Sequence, residues 1–404
     1  MRWLHTISLS LAGAVAGFAG TWILVWLFGL ATFADYVIDL AKISVLLLAL
    51  ELLPNGYTLF RQQRDEPFAA AFPAFYALMA LALAGLACAL SWAGYFESPN
   101  AFIVGYVALA VMQRYFDCQL QARGELAAYY RIPAVTNLLR AALLGAGALV
   151  LGIDRNSDAD TVALVVWGSL AIGLLVSILV AALRHVELVR ALGRALRPAS
   201  FGQLWSHRAA YRAYYLNSVL KRAKDSMLPL LLDALLLDKA LAGLVLVYAK
   251  SFEVVSGQLR VIEAAFTNLA ARARLAASRS RIAWIAAFVG QPACIAVAAI
   301  LLSREGLGLD ALLPAVLISF GVYPYVFEIL ARNDALAAER PGAVTRSLIA
   351  YVAVVGAGLP TLSIVGLLQP LAVILVLLVG LCAASVSYRW TVRSSALIEE
   401  RAGE

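Results

Sequence analysis

Long apolar runs alternate with short polar breaks along the whole chain of 404 residues. Within each run the apolar residues are continuous rather than every second one, so the runs read as helices and not as barrel strands. A helix needs about 20 mainly apolar residues to cross the hydrocarbon core of a bilayer. About twelve stretches meet that need: 8–30, 36–53, 70–94, 100–116, 133–153, 160–183, 214–236, 240–265, 282–302, 310–330, 347–368 and 371–392. Arg2 ahead of the first stretch is also what a signal peptide would show. The stretch runs uncharged from Ile7 to Phe33, however, and an h-region spans only about 7–15 residues, so it is read as the first span.

Composition agrees with the pattern. Hydrophobic residues make up 63% of the chain and charged residues 14%, against about 45–50% and about 25% in soluble domains. An ordinary soluble enzyme, a disordered chain and a nucleic-acid-binding module are excluded. The formal net charge is +7, and the positions of the cations explain it without a polyanion partner. Arg2, Arg61, Arg64, Arg123, Arg131, Arg184, Arg190, Arg194, Arg197, Arg279, Arg281, Arg340, Arg346 and Arg401 all fall on one side of the expected spans. The opposite loops hold only Arg155, Lys239 and Arg304, among Asp35, Glu97, Asp154, Asp158, Asp160, Asp238, Glu305 and Asp310. By the positive-inside rule both termini are then cytoplasmic.

The longest polar connection, 184–213, separates six spans from six. It divides the chain into an N-terminal lobe (1–183), a basic linker (184–213) and a C-terminal lobe (214–404) with a short cytoplasmic tail. In the linker Leu188, Val189, Leu192 and Leu196 interleave with Arg190, Arg194 and Arg197. That pattern suits an amphipathic helix on anionic lipid, and equally a solvated connection. The halves resemble each other: an offset of 208 sets Ala41-Lys42 over Ala249-Lys250, and one of 217 sets Arg123 over Arg340. Repeated halves are a usual construction of secondary transporters, with the substrate between them.

Charges inside spans carry the most information, since each costs about 2.5–3.5 kcal/mol at mid-helix on insertion scales. The cations are Lys42, Arg140, Lys221, Arg222, Lys224, Lys250 and Arg260; the acids are Asp39, Glu51, Asp225, Asp233, Glu253, Glu263 and Glu328. Lys250, Glu253, Gly257 and Arg260 recur at helical spacing, as do Asn217, Lys221, Lys224 and Asp225. Two readings compete. In one, Asp39/Lys42 and Lys250/Glu253 neutralise each other a turn apart and the cations near the interface snorkel. In the other, Lys42, Arg140, Lys221, Lys224, Lys250 and Arg260 line an aqueous cavity for a phosphate-bearing anion, and Asp39, Asp225 and Glu253 handle a coupling ion. Gly13, Gly17 and Gly20, and Gly145, Gly147 and Gly152, read as faces for close helix packing. Tyr323-Pro324-Tyr325 marks a break or hinge in the tenth span.

Chemistry of other kinds is not visible. His5, His185 and His207 form no metal or catalytic pattern, and Cys88, Cys118, Cys294 and Cys382 are scattered singly. Asp154, Asp158 and Asp160 read as a solvated turn rather than the acidic pair of a membrane glycan enzyme. No metal, cofactor or nucleic-acid partner is expected.

Two segments carry a family resemblance. One runs from Leu228-Pro229-Leu230 to Asp238, then through Leu241-Ala242-Gly243 and Val247-Tyr248-Ala249-Lys250 to Ala264-Ala265-Phe266-Thr267. The other is Gln121-Ala122-Arg123-Gly124-Glu125. With the layout of the whole chain they resemble the polysaccharide flippases of the multidrug/oligosaccharidyl-lipid/polysaccharide exporter superfamily. The sequence departs from that family at Leu50-Glu51-Leu52-Leu53-Pro54-Asn55-Gly56 and at Phe266-Thr267. The resemblance implies an all-α polytopic membrane protein with about twelve transmembrane helices in two pseudo-symmetric six-helix lobes around a central cavity. It implies a bacterial inner-membrane location and alternating access. It further implies an undecaprenyl-diphosphate-linked oligosaccharide as substrate and a polysaccharide polymerase machinery as partner. A multidrug antiporter of the same superfamily is the alternative.

Overall fold

The computed structural model describes residues 2–48, 72–97, 101–154, 157–194, 208–236, 238–267, 279–305, 311–337 and 341–402. Glu51 and the side chains of Arg260 and Glu263 lie outside what it describes. The chain falls into two compact units, Met1–Ser218 and Val219–Glu404. Every regular element among the described residues is helical.

The first unit holds α1 (Arg2–Leu46), α2 (Phe72–Trp92), α3 (Ala101–Ala122), α4 (Leu126–Leu151), α5 (Ala159–Arg184) and the short α6 (Val186–Arg194). Helix α7 (Arg208–Leu235) crosses the division between the units. The second unit continues with α8 (Lys239–Thr267), α9 (Arg279–Leu301), α10 (Leu312–Ser319), α11 (Val322–Ala337), α12 (Pro341–Ile364) and α13 (Pro370–Ala402). Among the described residues nine helices are long and apolar enough to cross a membrane, counting α1 once. Ten of the twelve expected stretches fall on these nine helices, two of them on the arms of α1; 70–94 and 214–236 fall on α2 and α7, which are outside the nine. Large apolar side chains such as Leu81, Leu149, Phe288 and Val386 are exposed, at 74%, 83%, 75% and 66%. Side chains of that size on the surface are what a bilayer covers.

The first two expected spans are two arms of α1. They meet at Gly29, with φ 87° and ψ 178°, a conformation essentially confined to glycine. The polar break expected around Asp35 is therefore replaced by a corner six residues earlier, and Phe33, Ala34, Tyr36 and Asp39 all sit buried beyond it. Backbone freedom at one glycine turned the chain, and polarity did not.

Helix α4 is clasped on two sides. On one side it meets the glycine face of α1: a Cβ on Gly13 would lie 3.1 Å from the Ala134 backbone, and one on Gly17 2.8 Å from Asn137 Nδ2. Asn137 Nδ2 donates to the Gly13 carbonyl at 2.9 Å. On the other side α5 approaches at Gly173, where a Cβ would lie 2.9 Å from the Thr136 carbonyl oxygen. Thr136 Oγ1 donates across this contact to Ser177 Oγ at 2.9 Å. Small residues let the backbones close, and the hydrogen bonds then hold them in a medium without water.

Helix α6 is part of the linker. Its Leu188 is buried, and Tyr115 donates to the Leu188 carbonyl at 3.0 Å. Val186, Val189 and Arg190 stay exposed. Arg123 Nη1 pairs with Glu187 at 2.8 Å. The backbone N–H of Glu187 and the Arg123 guanidinium hold the Glu187 carboxyl below the usual carboxylate range. The helix is thus docked on the first unit rather than free in water.

In the second unit α8, α9 and α11 share a core of Val255, Ala287, Cys294, Val322, Val326 and Ile329. The expected tenth span is interrupted at Phe320–Gly321, between α10 and α11. Pro324 cannot donate to the carbonyl of Phe320; instead Tyr323 N–H bonds to Phe320 O at 3.2 Å and Tyr325 N–H to Gly321 O at 3.1 Å. The helix restarts there, with Glu328 one turn after Pro324.

The packing yields a stability prediction. Gly29→Ala should cost about 1–3 kcal/mol through backbone strain. Gly173→Val should lower the unfolding midpoint too, by pushing α5 off α4. Gly85→Val, where a Cβ meets nothing within 4 Å, should leave it unchanged. Thermal unfolding of the three purified variants in detergent checks this.

Candidate functional site

The polar centre of the first unit forms on the second arm of α1. Tyr36, Asp39 and Lys42 follow one another at three-residue spacing and share a face. The chain after α2 turns back onto that face. Gly94, with φ 73°, ends α2 in a Schellman closure: Gly94 N–H bonds to Ser91 O at 3.2 Å and Tyr95 N–H to Leu90 O at 2.9 Å. Phe96 is then buried and Glu97 reaches the α1 arm. Lys42 Nζ donates to Glu97 Oε1 at 2.6 Å, and Glu97 N–H donates to Asp39 Oδ1 at 2.7 Å. The ammonium also lies 5.6 Å from the centre of the Tyr95 ring. Lys42 is thus paired with Glu97, a residue the sequence places in a loop, while its neighbour Asp39 accepts from the Glu97 backbone. The local spacing pointed to Asp39; a turn closing on a glycine supplied the other acid.

Arg140 of α4 is treated differently. It is 7% exposed and its guanidinium stacks 4.7 Å from the centre of the Tyr36 ring, which in turn packs on Trp167. Its Nε and Nη2 are buried and make no hydrogen bond among the described residues. These two nitrogens lie along one edge of the guanidinium, the edge that takes a carboxylate or phosphate as a fork. The ring contact supplies about 0.5–2 kcal/mol. A buried charged donor without a partner costs more than that. Among the described residues no carboxylate contacts Arg140, whereas Lys42, Lys224 and Lys250 each have one.

The second unit has its own centre. Lys224 of α7 donates to both oxygens of Glu328, at 3.2 and 3.1 Å, and lies 4.8 Å from the centre of the Tyr351 ring. The side chains of the pair are 11% and 5% exposed. Glu328 belongs to the helix that restarts after the Phe320–Gly321 break. Lys250 pairs with Glu253 at 2.8 Å along α8, with Glu253 60% exposed. Lys221 is half-buried and Asp225 exposed on α7. Arg260 lies on α8, its side chain outside the described residues.

Some residues were missed or weighted too little from the sequence. Glu97 looked like a loop acid, and Glu328 looked like one intramembrane acid among several. Asp117 of α3 was not singled out at all, and its Oδ1 is buried without a hydrogen bond among the described residues. Only the fold shows which acids meet which cations. At the turns before α5 and α8 the acids cap helices: Asp158 accepts from Thr161 N–H at 3.1 Å, and Asp238 from Ala240 N–H at 2.8 Å. No group of metal-binding side chains occurs among the described residues.

The fold of this chain is similar to that of several solved transporter structures. An inward-facing multidrug resistance MATE family transporter matches with TM-score 0.68 at 12% identity, over 98% of this chain and 99% of that one. A MATE crystallised in complex with MaL6 matches with TM-score 0.66 at 14% identity, over 98% and 97%. The lipid II flippase MurJ, in an inward closed conformation, matches with TM-score 0.57 at 9% identity, over 96% and 87%. At these identities the likeness is one of fold. No protein-family model matches the sequence, and no curated protein does.

The Lys224–Glu328 pair makes a separate prediction. Glu328→Gln should cost about 3–5 kcal/mol by leaving Lys224 buried and unpaired. Replacing both partners by apolar residues, Lys224→Met with Glu328→Leu, should recover most of that loss. A double-mutant cycle on unfolding midpoints reads the difference.

Proposed function

We propose that the chain is an integral membrane transporter that moves an undecaprenyl-diphosphate-linked oligosaccharide to the outer leaflet of a bacterial inner membrane. The single observation behind this reading is Arg140. A cation kept inside a membrane helix bundle, with one edge of its fork unused, suits a substrate whose charge is a phosphate. The fold likeness to transporters, one of them a lipid flippase, supports the same reading.

In this account Arg140 engages the diphosphate, assisted by Lys250, Arg260, Lys221 and Lys224 as the lobes 1–183 and 214–404 rock about the linker 184–213. Lys42 and Glu97 position the arm that carries Tyr36. Asp39, Asp225 and Glu253 are the candidates for a coupling ion. The sugars travel in an aqueous path and the prenyl chain stays in lipid. A bare diphosphate would not cross hydrocarbon unaided, because its transfer cost is so large. Both termini are cytoplasmic, and a polysaccharide polymerase receives the product.

A second reading is multidrug antiport. It is favoured by the higher TM-scores of the MATE structures, 0.68 and 0.66 against 0.57 for the flippase. Proteoliposomes separate the two. The wild-type protein should translocate a fluorescent undecaprenyl-diphosphate oligosaccharide, and Arg140→Gln should slow this about tenfold or more. Expulsion of a cationic dye under a proton gradient, with no lipid movement, would replace the flippase reading by the antiporter.

A further inference from the structure

A second basic site lies away from Arg140, at the end of the first unit where α4 begins and α5 ends. A shallow cleft opens there, lined among others by Arg131, Arg184, His185, Ile132, Val135 and Val180. Arg131 stands near the start of α4, and Arg184 is the last residue of α5. Among the described residues neither arginine makes an ion pair or a hydrogen bond, and the two guanidiniums are near enough to repel each other. The nearby acids stand at the same end of the cleft but face His185 and Arg123 rather than Arg131 or Arg184. Glu125 and Glu187 both face His185 Nδ1, at 3.5 and 3.7 Å, and Glu187 also holds Arg123. Outside the cleft, Leu179 and Leu183 of α5 are 51% and 78% exposed, which marks this side as lipid-facing.

Two like charges converge over a narrow apolar cleft beside a lipid-facing surface. An anion between them relieves the repulsion, and a bidentate fork from each arginine suits phosphate. An acyl chain fits the wall of Ile132, Val135 and Val180. We infer that this cleft binds the phosphate headgroup of an anionic phospholipid of the inner leaflet, as a site separate from the transport pathway. Held there, the lipid bridges α4 to α5 and braces the helix that carries Arg140.

The test uses full-length protein in detergent, with native mass spectrometry to count bound lipid. Phosphatidylglycerol and phosphatidylcholine of matched acyl chains are compared, and inorganic phosphate alone forms a third arm. One phosphatidylglycerol should be retained per protein, with phosphatidylcholine held about tenfold more weakly. Arg184→Gln, at an exposed helix end, should weaken retention similarly, and Arg131→Gln with Arg184→Gln should abolish it. Arg131→Lys with Arg184→Lys should retain part of it, which guards against misfolding of the neutral pair. Displacement of the lipid by millimolar phosphate would show that the headgroup phosphate alone is recognised. Equal retention of the two lipids, or unchanged retention in Arg184→Gln, would overturn the inference.

Discussion

Charge inside hydrocarbon is the constraint on which this structure turns. Each ionised side chain within a span must find an opposite charge, a ring face or water, or the helix will not stay in the bilayer. The chain meets this demand unevenly. Lys42, Lys224 and Lys250 each contact a carboxylate. Among the described residues Arg140 has only the face of Tyr36, and one edge of its guanidinium is unused. The paired lysines each have a counter-charge within the protein. Under the proposed function the arginine is the group that meets an anion from outside the protein.

Close packing makes the arrangement possible. Gly13, Gly17 and Gly173 bring two helices onto α4, and Asn137 and Thr136 bond across the contacts. A helix held this firmly can keep a buried guanidinium in one place. Its partner ring, Tyr36, rides on an arm fixed by the Lys42–Glu97–Asp39 set. Stability in the first unit therefore supports the cation rather than competing with it.

The helices were legible in the sequence because a bilayer writes its thickness into the length of each apolar run. The corner at Gly29 was not legible: turning there depends on one residue's backbone, while the polar signal lay at Asp35. The break in the tenth span could be read from Pro324, whose missing N–H interrupts any helix ladder. Candidate cations were legible one by one, since a lysine or arginine within a span is conspicuous. Their partners were not. Glu97 is 55 residues from Lys42, and Glu328 is 104 from Lys224. Helical spacing within one span cannot report a contact between spans, so Arg140 could not be told from the lysines until the fold was known.

A residue kept for its substrate should contribute little to stability, or reduce it, since its buried donors are unsatisfied while it waits. Thermal unfolding of Arg140→Met in lipid nanodiscs, against wild type, tests this most directly. The account predicts a midpoint equal to or above that of wild type, because an under-bonded buried charge is replaced by an apolar chain of similar length. A midpoint lowered by several degrees would contradict it and make Arg140 one more structural cation.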